Sequence, residues 1–203
     1  MKRDIEFLFE MGRLRFGQRN WQRFFNTKVA NDSEHTFRVL WIALTIAKRE
    51  GVADIEKIMK MALVHDIAES RTGDVDYISR SYAKLNEEDA IKDVLEETSV
   101  EDEFIESWEE FEKRETIESK IVKDADNLDI DFELMEQMDA NEGLIKKKIS
   151  MRKSNVRQKL FTETAKKMFD EVYSTEDIHD WHFESKRNRF KNGDFSLKDK
   201  EEK

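Results

Sequence analysis

The sequence predicts an all-α, single-domain helical bundle, and three observations carry that expectation. Proline, the strongest helix breaker, is absent, and only six glycines occur in 203 residues. β-rich folds lean on both at their turns. Good helix formers (Glu, Lys, Leu, Met) are plentiful, and apolar residues recur at three- and four-residue spacing along most of the chain.

From Asp4 to Phe16, apolar groups at Ile5, Leu8, Phe9, Met11 and Leu14 predict a helix. Gly17 to Asn20 breaks the pattern as a loop. Asp32 or Ser33 is expected to cap the next helix. That helix runs through Phe37, Leu40, Trp41, Leu44 and Ala47 to a stop at Gly51, apolar on most faces as in the middle of a bundle. Asp54 opens a third helix with Ile55, Ile58, Met59, Ala62, Leu63 and Ile67, ending near Arg71 to Gly73. Glu87–Glu97 and Glu101–Arg114 read as amphipathic, more exposed helices. Glu118–Ala140 is a long helix with an apolar row at Ile121, Ala125, Leu128, Phe132 and Met135, and Val156–Tyr173 a last one. Residues 1–190 are expected to form one domain, followed by a polar, flexible tail over 191–203.

Charged residues make up 40% of the chain and the net charge is -10. Such a balance leaves no basic stripe for phosphates of a nucleic acid. The one basic run, Lys146-Lys147-Lys148, reads as a solvated helix face or turn. Without cysteine, disulfides and thiolate metal sites are excluded. No apolar run approaches the roughly 20 residues that span a bilayer. The N-terminus carries acids and no long apolar core, which is not the pattern of a secretory signal. A cytoplasmic location is the expectation.

Chemistry concentrates in a few polar groups on apolar helices. His65-Asp66 and Glu69 sit among Met61, Ala62, Leu63, Val64, Ile67 and Ala68. An interior helix rarely accepts His, Asp and Glu within five positions unless something compensates their desolvation, and a divalent cation does so. Glu69 lies one turn beyond His65 on its face, within reach of a water on such an ion. His35 falls in the first turn of its helix, where a histidine ordinarily just satisfies helix-end groups. The long helix offers Asp124, Asp126, Asp129 and Asp131. Helical geometry points Asp126 well away from the apolar row and brings Asp124 and Asp129 closer to it, so periodicity alone does not select Asp126.

Three segments, Ser33-Glu34-His35, His65-Asp66-Ile67-Ala68-Glu69 with Thr72-Gly73-Asp74, and Val122-Lys123-Asp124-Ala125-Asp126, resemble the HD-domain phosphohydrolases. Their 5'-deoxynucleotidase branch is the most similar. The resemblance spans about Leu14 to Met138 with the motifs in family order. It implies an HD-type helical bundle and metal ligands at His35, His65, Asp66 and Asp126, the last marked by its spacing from Lys123. It also implies Glu69 as catalytic acid/base, Asp74 as an acidic residue near the nucleotide sugar, and Arg19 and Trp21 against phosphate and nucleoside. Asn20 intervenes between Arg19 and Trp21, a departure from the family spacing.

The expected activity is therefore metal-dependent release of phosphate from deoxyribonucleoside 5'-monophosphates, with one divalent ion (Co2+, Mn2+, Fe2+, Ni2+, Zn2+ or Mg2+). Partners are a small-molecule nucleotide and a second copy of the chain, with the Trp108 and Phe111 segment or the C-terminal helix as interface, and neither nucleic acid nor membrane. The rivals are an HD phosphohydrolase for a triphosphate or cyclic phosphodiester, and a non-catalytic, metal-stabilised interaction module. His179, Asp180 and His182 around Trp181 form a weaker metal motif, with Trp181 expected to pack on the bundle.

Overall fold

The computed structural model describes residues 1–24 and 28–183, the side chains of 21, 139–141 and 183 excepted. The expected tail over 191–203 lies outside the described residues. Helices are α1 (Lys2–Met11), α2 (Asp32–Glu50), α3 (Ile55–Val64), α4 (Glu69–Thr72), α5 (Glu87–Leu95), α6 (Glu101–Lys113), α7 (Ile117–Glu136), α8 (Met138–Asn155), α9 (Glu163–Val172) and α10 (Asp180–Phe183). Short 3-10 turns at Leu14–Phe16, Asn20–Phe24, Ser79–Ser81 and Arg157–Lys159 link them. No strand occurs among the described residues; one isolated bridge joins Gln18 to Asn31. None of these helices is long and apolar enough to cross a membrane.

Helices α2 and α7 form the centre, with α3, α6 and α9 around them. Val39, Ile42, Ala43, Ile46 and Ala47 of α2 pack on Ile121, Val122, Ala125 and Leu128 of α7, with Met61 and Phe169 closing the core. Leu14, Val64, Ile67, Ile91, Leu95 and Trp108 build a second cluster. The apolar row expected on α7 thus faces inward at Ile121, Ala125 and Leu128.

Several expectations need correction. Of the predicted apolar face of the first helix, Ile5, Leu8 (61%) and Phe9 (77%) are exposed, while Met11 and Leu14 join the second cluster together with Phe7. Asn31, rather than Asp32 or Ser33, caps α2, in a reciprocal capping box with Glu34. Phe37 and Trp41 are exposed, so α2 is buried on one side only. Trp108 and Phe111 belong to the core, which removes them as an interface. Trp181 is 65% exposed and lines a surface groove with Met135 and Met168.

The third helix stops at Val64, and residues 65–68 form a turn before α4. Its bonds tighten to three-residue spacing, from Ile67 N to Val64 O and from Glu69 N to Asp66 O. Sequence periodicity reads straight through because the backbone stays right-handed. The predicted helix over Val156–Tyr173 begins only at Glu163, after the 3-10 turn Arg157–Lys159, and residues 141–155, outside every predicted helix, lie in α8. Lys146 pairs with Glu142 on its exposed face.

Candidate metal centre

The turn after α3 and the first turn of α2 bring His65 and His35 together. Each ring is fixed through Nδ1. His65 Nδ1 donates to its own helix carbonyl at Ala62, 2.8 Å away, and His35 Nδ1 donates to Asp129 Oδ2 at 2.6 Å. Arg38, one turn along α2, holds the other Asp129 oxygen. These contacts set the tautomers and leave both Nε2 atoms bare in the neutral rings.

The Nε2 atoms face each other at 3.3 Å. Asp66 Oδ2 stands 3.3 Å from both, and Asp126 Oδ1 3.4 Å from that of His35. Ligands at about 2.1 Å from a common ion stand roughly 3.0–3.4 Å apart at octahedral or tetrahedral angles. The donor set therefore fits a divalent cation. Lone-pair donors gathered this closely around His35 Nε2 repel one another unless positive charge lies among them.

The protonation pattern says the same. Burial and Arg19 lower the His35 pKa, yet Asp126, Asp129 and Asp66 outweigh them and raise it well above the ordinary value. A proton there substitutes for the cation. Burial would raise Asp126, but Lys123 and His35 hold it well below the usual carboxylate range. Asp66 is likewise depressed, its burial overcome by His65 and His35.

Arg19 closes one side. Its Nη1 lies 3.1 Å from Asp66 Oδ2 and 3.9 Å from Glu69 Oε2, and its Nε 3.7 Å from Asp74 Oδ2. Asn20 pins Asp74 through two 2.7 Å bonds, from its backbone N–H to Oδ2 and from its amide to the Asp74 carbonyl. Glu69 Oε2 is buried without a hydrogen-bond partner. Burial first, then the Asp66 charge, pushes this carboxyl up to about 10, so it is a neutral acid near pH 7. Trp21 has its backbone in the 3-10 turn Asn20–Phe24, and its side chain lies outside the described residues.

A family model for the HD domain matches residues 11–172. The chain belongs to the HD domain family. Relatives named 5'-deoxynucleotidase HDDC2 are 33% identical in Danio rerio, over 62% of this chain and 65% of that protein, and 30% identical in Bos taurus, over 66% and 68%. The chain spans about two thirds of the length of these curated relatives. A solved structure, a conserved hypothetical protein from Pyrococcus furiosus, has a TM-score of 0.64 at 26% identity, covering 84% of this chain and 99% of that one.

HD domains are metal-dependent, and the cluster of His35, His65 and Asp126, with ligand atoms within 4.8 Å of one another, is a possible site for the ion. No second cluster of this kind occurs among the described residues, His179 and His182 included. The other acids of α7 in this HD domain have separate tasks. Asp124 accepts from Phe161 N, Thr162 N and Thr162 Oγ1, each at 2.8 Å. Asp131 pairs with Arg152.

Sequence reasoning gave Arg38, Asp32 and Asn20 no role at the site. Arg38 had a legible signal: it lies one turn from His35, as Asp129 does from Asp126. Asp32 had none. It is 1% exposed, neither oxygen is hydrogen-bonded, and Gly17 makes room for it, since a Cβ there would stand 1.7 Å from Asp32 Oδ2.

Proposed function

We propose that this HD domain, over residues 1–190, is a metal-dependent phosphomonoesterase that releases inorganic phosphate from deoxyribonucleoside 5'-monophosphates. The observation that carries the reading is the gathering of His65, Asp66 and Asp126 around His35 Nε2 at 3.3–3.4 Å, beside the Arg19 guanidinium and a Glu69 carboxyl whose Oε2 has no hydrogen bond. The relatives named 5'-deoxynucleotidase supply the substrate class.

One divalent ion from the Co2+, Mn2+, Fe2+, Ni2+, Zn2+ and Mg2+ group is the proposed cofactor. It supplies Lewis acidity that makes water nucleophilic near neutral pH and withdraws charge from a phosphoryl oxygen. Arg19, held by the Asp66 and Asp74 carboxylates, turns a permanent positive charge toward phosphoryl oxygens in a strongly acidic protein. Glu69 Oε2 exchanges a proton with the attacking water or the departing 5'-oxygen. Asp74, fixed by Asn20, accepts from a sugar hydroxyl, and Trp21 is assigned to the nucleoside by the family resemblance. Water adds to phosphorus as the bond to the 5'-oxygen breaks, giving a deoxynucleoside and phosphate. No protein phosphoester forms.

A cytoplasmic homodimer is the proposed form. Exposed Leu8, Phe9, Phe37 and Trp41 offer apolar area for a second copy.

Phosphate release from deoxynucleoside monophosphates, with each metal in turn and beside triphosphate and cyclic substrates, tests the reading. Glu69→Gln is expected to retain metal and fold while losing at least about 100-fold in kcat. Monophosphate turnover at wild-type rate in that variant would remove Glu69 from the mechanism. Turnover of triphosphates alone would replace the substrate class.

A further inference from the structure

Beside the metal centre lies a cavity of about 220 Å3 that shares Arg19 and Asp74 with it. Phe24, Tyr77 and Lys148 line it together with apolar Ile130, Leu134 and Met151. The volume is below the roughly 300–1,000 Å3 of cavities that enclose whole drug-sized ligands, and suits a flat ring. Lys148 enters from α8, with Nζ over the Phe24 ring at 5.1 Å and the Tyr77 ring at 5.6 Å. It is in no ion pair among the described residues. Burial first, then Arg152, lowers its pKa against the pull of Asp76, which lines the same cavity and pairs with Arg23.

An ammonium that is partly desolvated, faces two aromatic rings and makes no ion pair has hydrogen bonds to give. Aromatic faces bind other flat π-systems by stacking. An ammonium is a donor only, so it selects an acceptor on the edge of that ring. The shared Arg19 and Asp74 place the cavity within one nucleotide of the reaction centre.

We infer that this cavity is the nucleobase subsite, in which Phe24 and Tyr77 stack on the base and Lys148 donates to a keto oxygen on its edge. The inference rests on the nucleotide reading above. It makes guanine, with its keto oxygen, the preferred purine over adenine, which carries a donor amino group at the same position.

Two measurements separate this inference from that reading. Ligand-observed NMR titration with deoxyguanosine and deoxyadenosine, which lack phosphate, probes the cavity without metal or turnover. Wild type is expected to favour deoxyguanosine. Lys148→Met should weaken it roughly tenfold and erase the preference, and Tyr77→Leu should weaken both nucleosides. In kinetics, Lys148→Met should raise KM for deoxyguanosine 5'-monophosphate by a similar factor. It should leave kcat and hydrolysis of 2-deoxyribose 5-phosphate, which has no base, unchanged. Equal nucleoside affinity in wild type and both variants, or no nucleoside binding to wild type, overturns the subsite. Lys148-dependent nucleoside binding without any monophosphate turnover keeps the subsite and overturns the nucleotidase reading alone.

Discussion

At Asp32 a carboxyl group is shut away from water with neither oxygen hydrogen-bonded. Burial, aided by the Asp74 and Asp66 charges, pushes it from 3.8 up to about 6 against the pull of Arg19. A folded-state pKa above the unfolded one means that the native protein binds more protons between about pH 4 and 6. Stability therefore falls as pH rises through that window, by about 3 kcal/mol in all. Asp32→Asn is expected to remove the loss. Urea unfolding of metal-free protein should find the variant more stable at pH 7.5 and matched to wild type at pH 4; a gap that does not widen with pH would sink the idea. None of this was legible in the sequence, where Asp32 reads as one more helix cap. His65, Asp66 and Glu69 were legible, because three polar groups on an apolar helix demand compensation. Asp126 was legible only through its resemblance to a family motif, since the face it occupies is defined by His35 across the bundle and not by its own helix.

Among the elements, α7 shows why helical periodicity did not single out Asp126. Asp124 is near the apolar row because it is structural: it closes the start of α9 by taking three donors from Phe161 and Thr162. Asp124→Ala leaves those buried donors unpaired and should cost about 3 kcal/mol, read as a lower urea midpoint, with metal affinity unchanged. A variant of normal stability would show that water replaces the carboxylate. The positions of α2, α3, α6 and α7 followed from caps and apolar spacing, as at Asp54, which caps α3 through Lys57 N. The existence of α8 did not follow. Its fully buried described residues are Ile145 and Arg152, too few to mark a stripe. The break at 65–68 was equally hidden, because a tightened turn keeps helical dihedrals.

For the whole molecule, a net charge of -10 opposes an anionic substrate. The fold answers by holding the Arg19 guanidinium inward at the metal centre. The proposed cation would complete that reversal. Because Asp126, Asp129 and Asp66 raise the His35 pKa well above its ordinary value in the metal-free protein, loading near neutral pH should release protons, and affinity should fall as the solution is acidified. Calorimetry in two buffers of different ionisation enthalpy measures this; identical heats in both would contradict it. The attachment of α8 has a further consequence. It is fastened to α7 by the buried Arg152, which grips Asp131 and the Asn127 carbonyl, and by a small apolar cluster that joins Ile145 to Leu134 and Ile130. That cluster is smaller than either of the other two in the core, so this wall is expected to open more readily than the centre of the bundle. Amide exchange should then be faster along Met138–Asn155 than in α2 or α7, which would give flat ligands a side door to the chemistry.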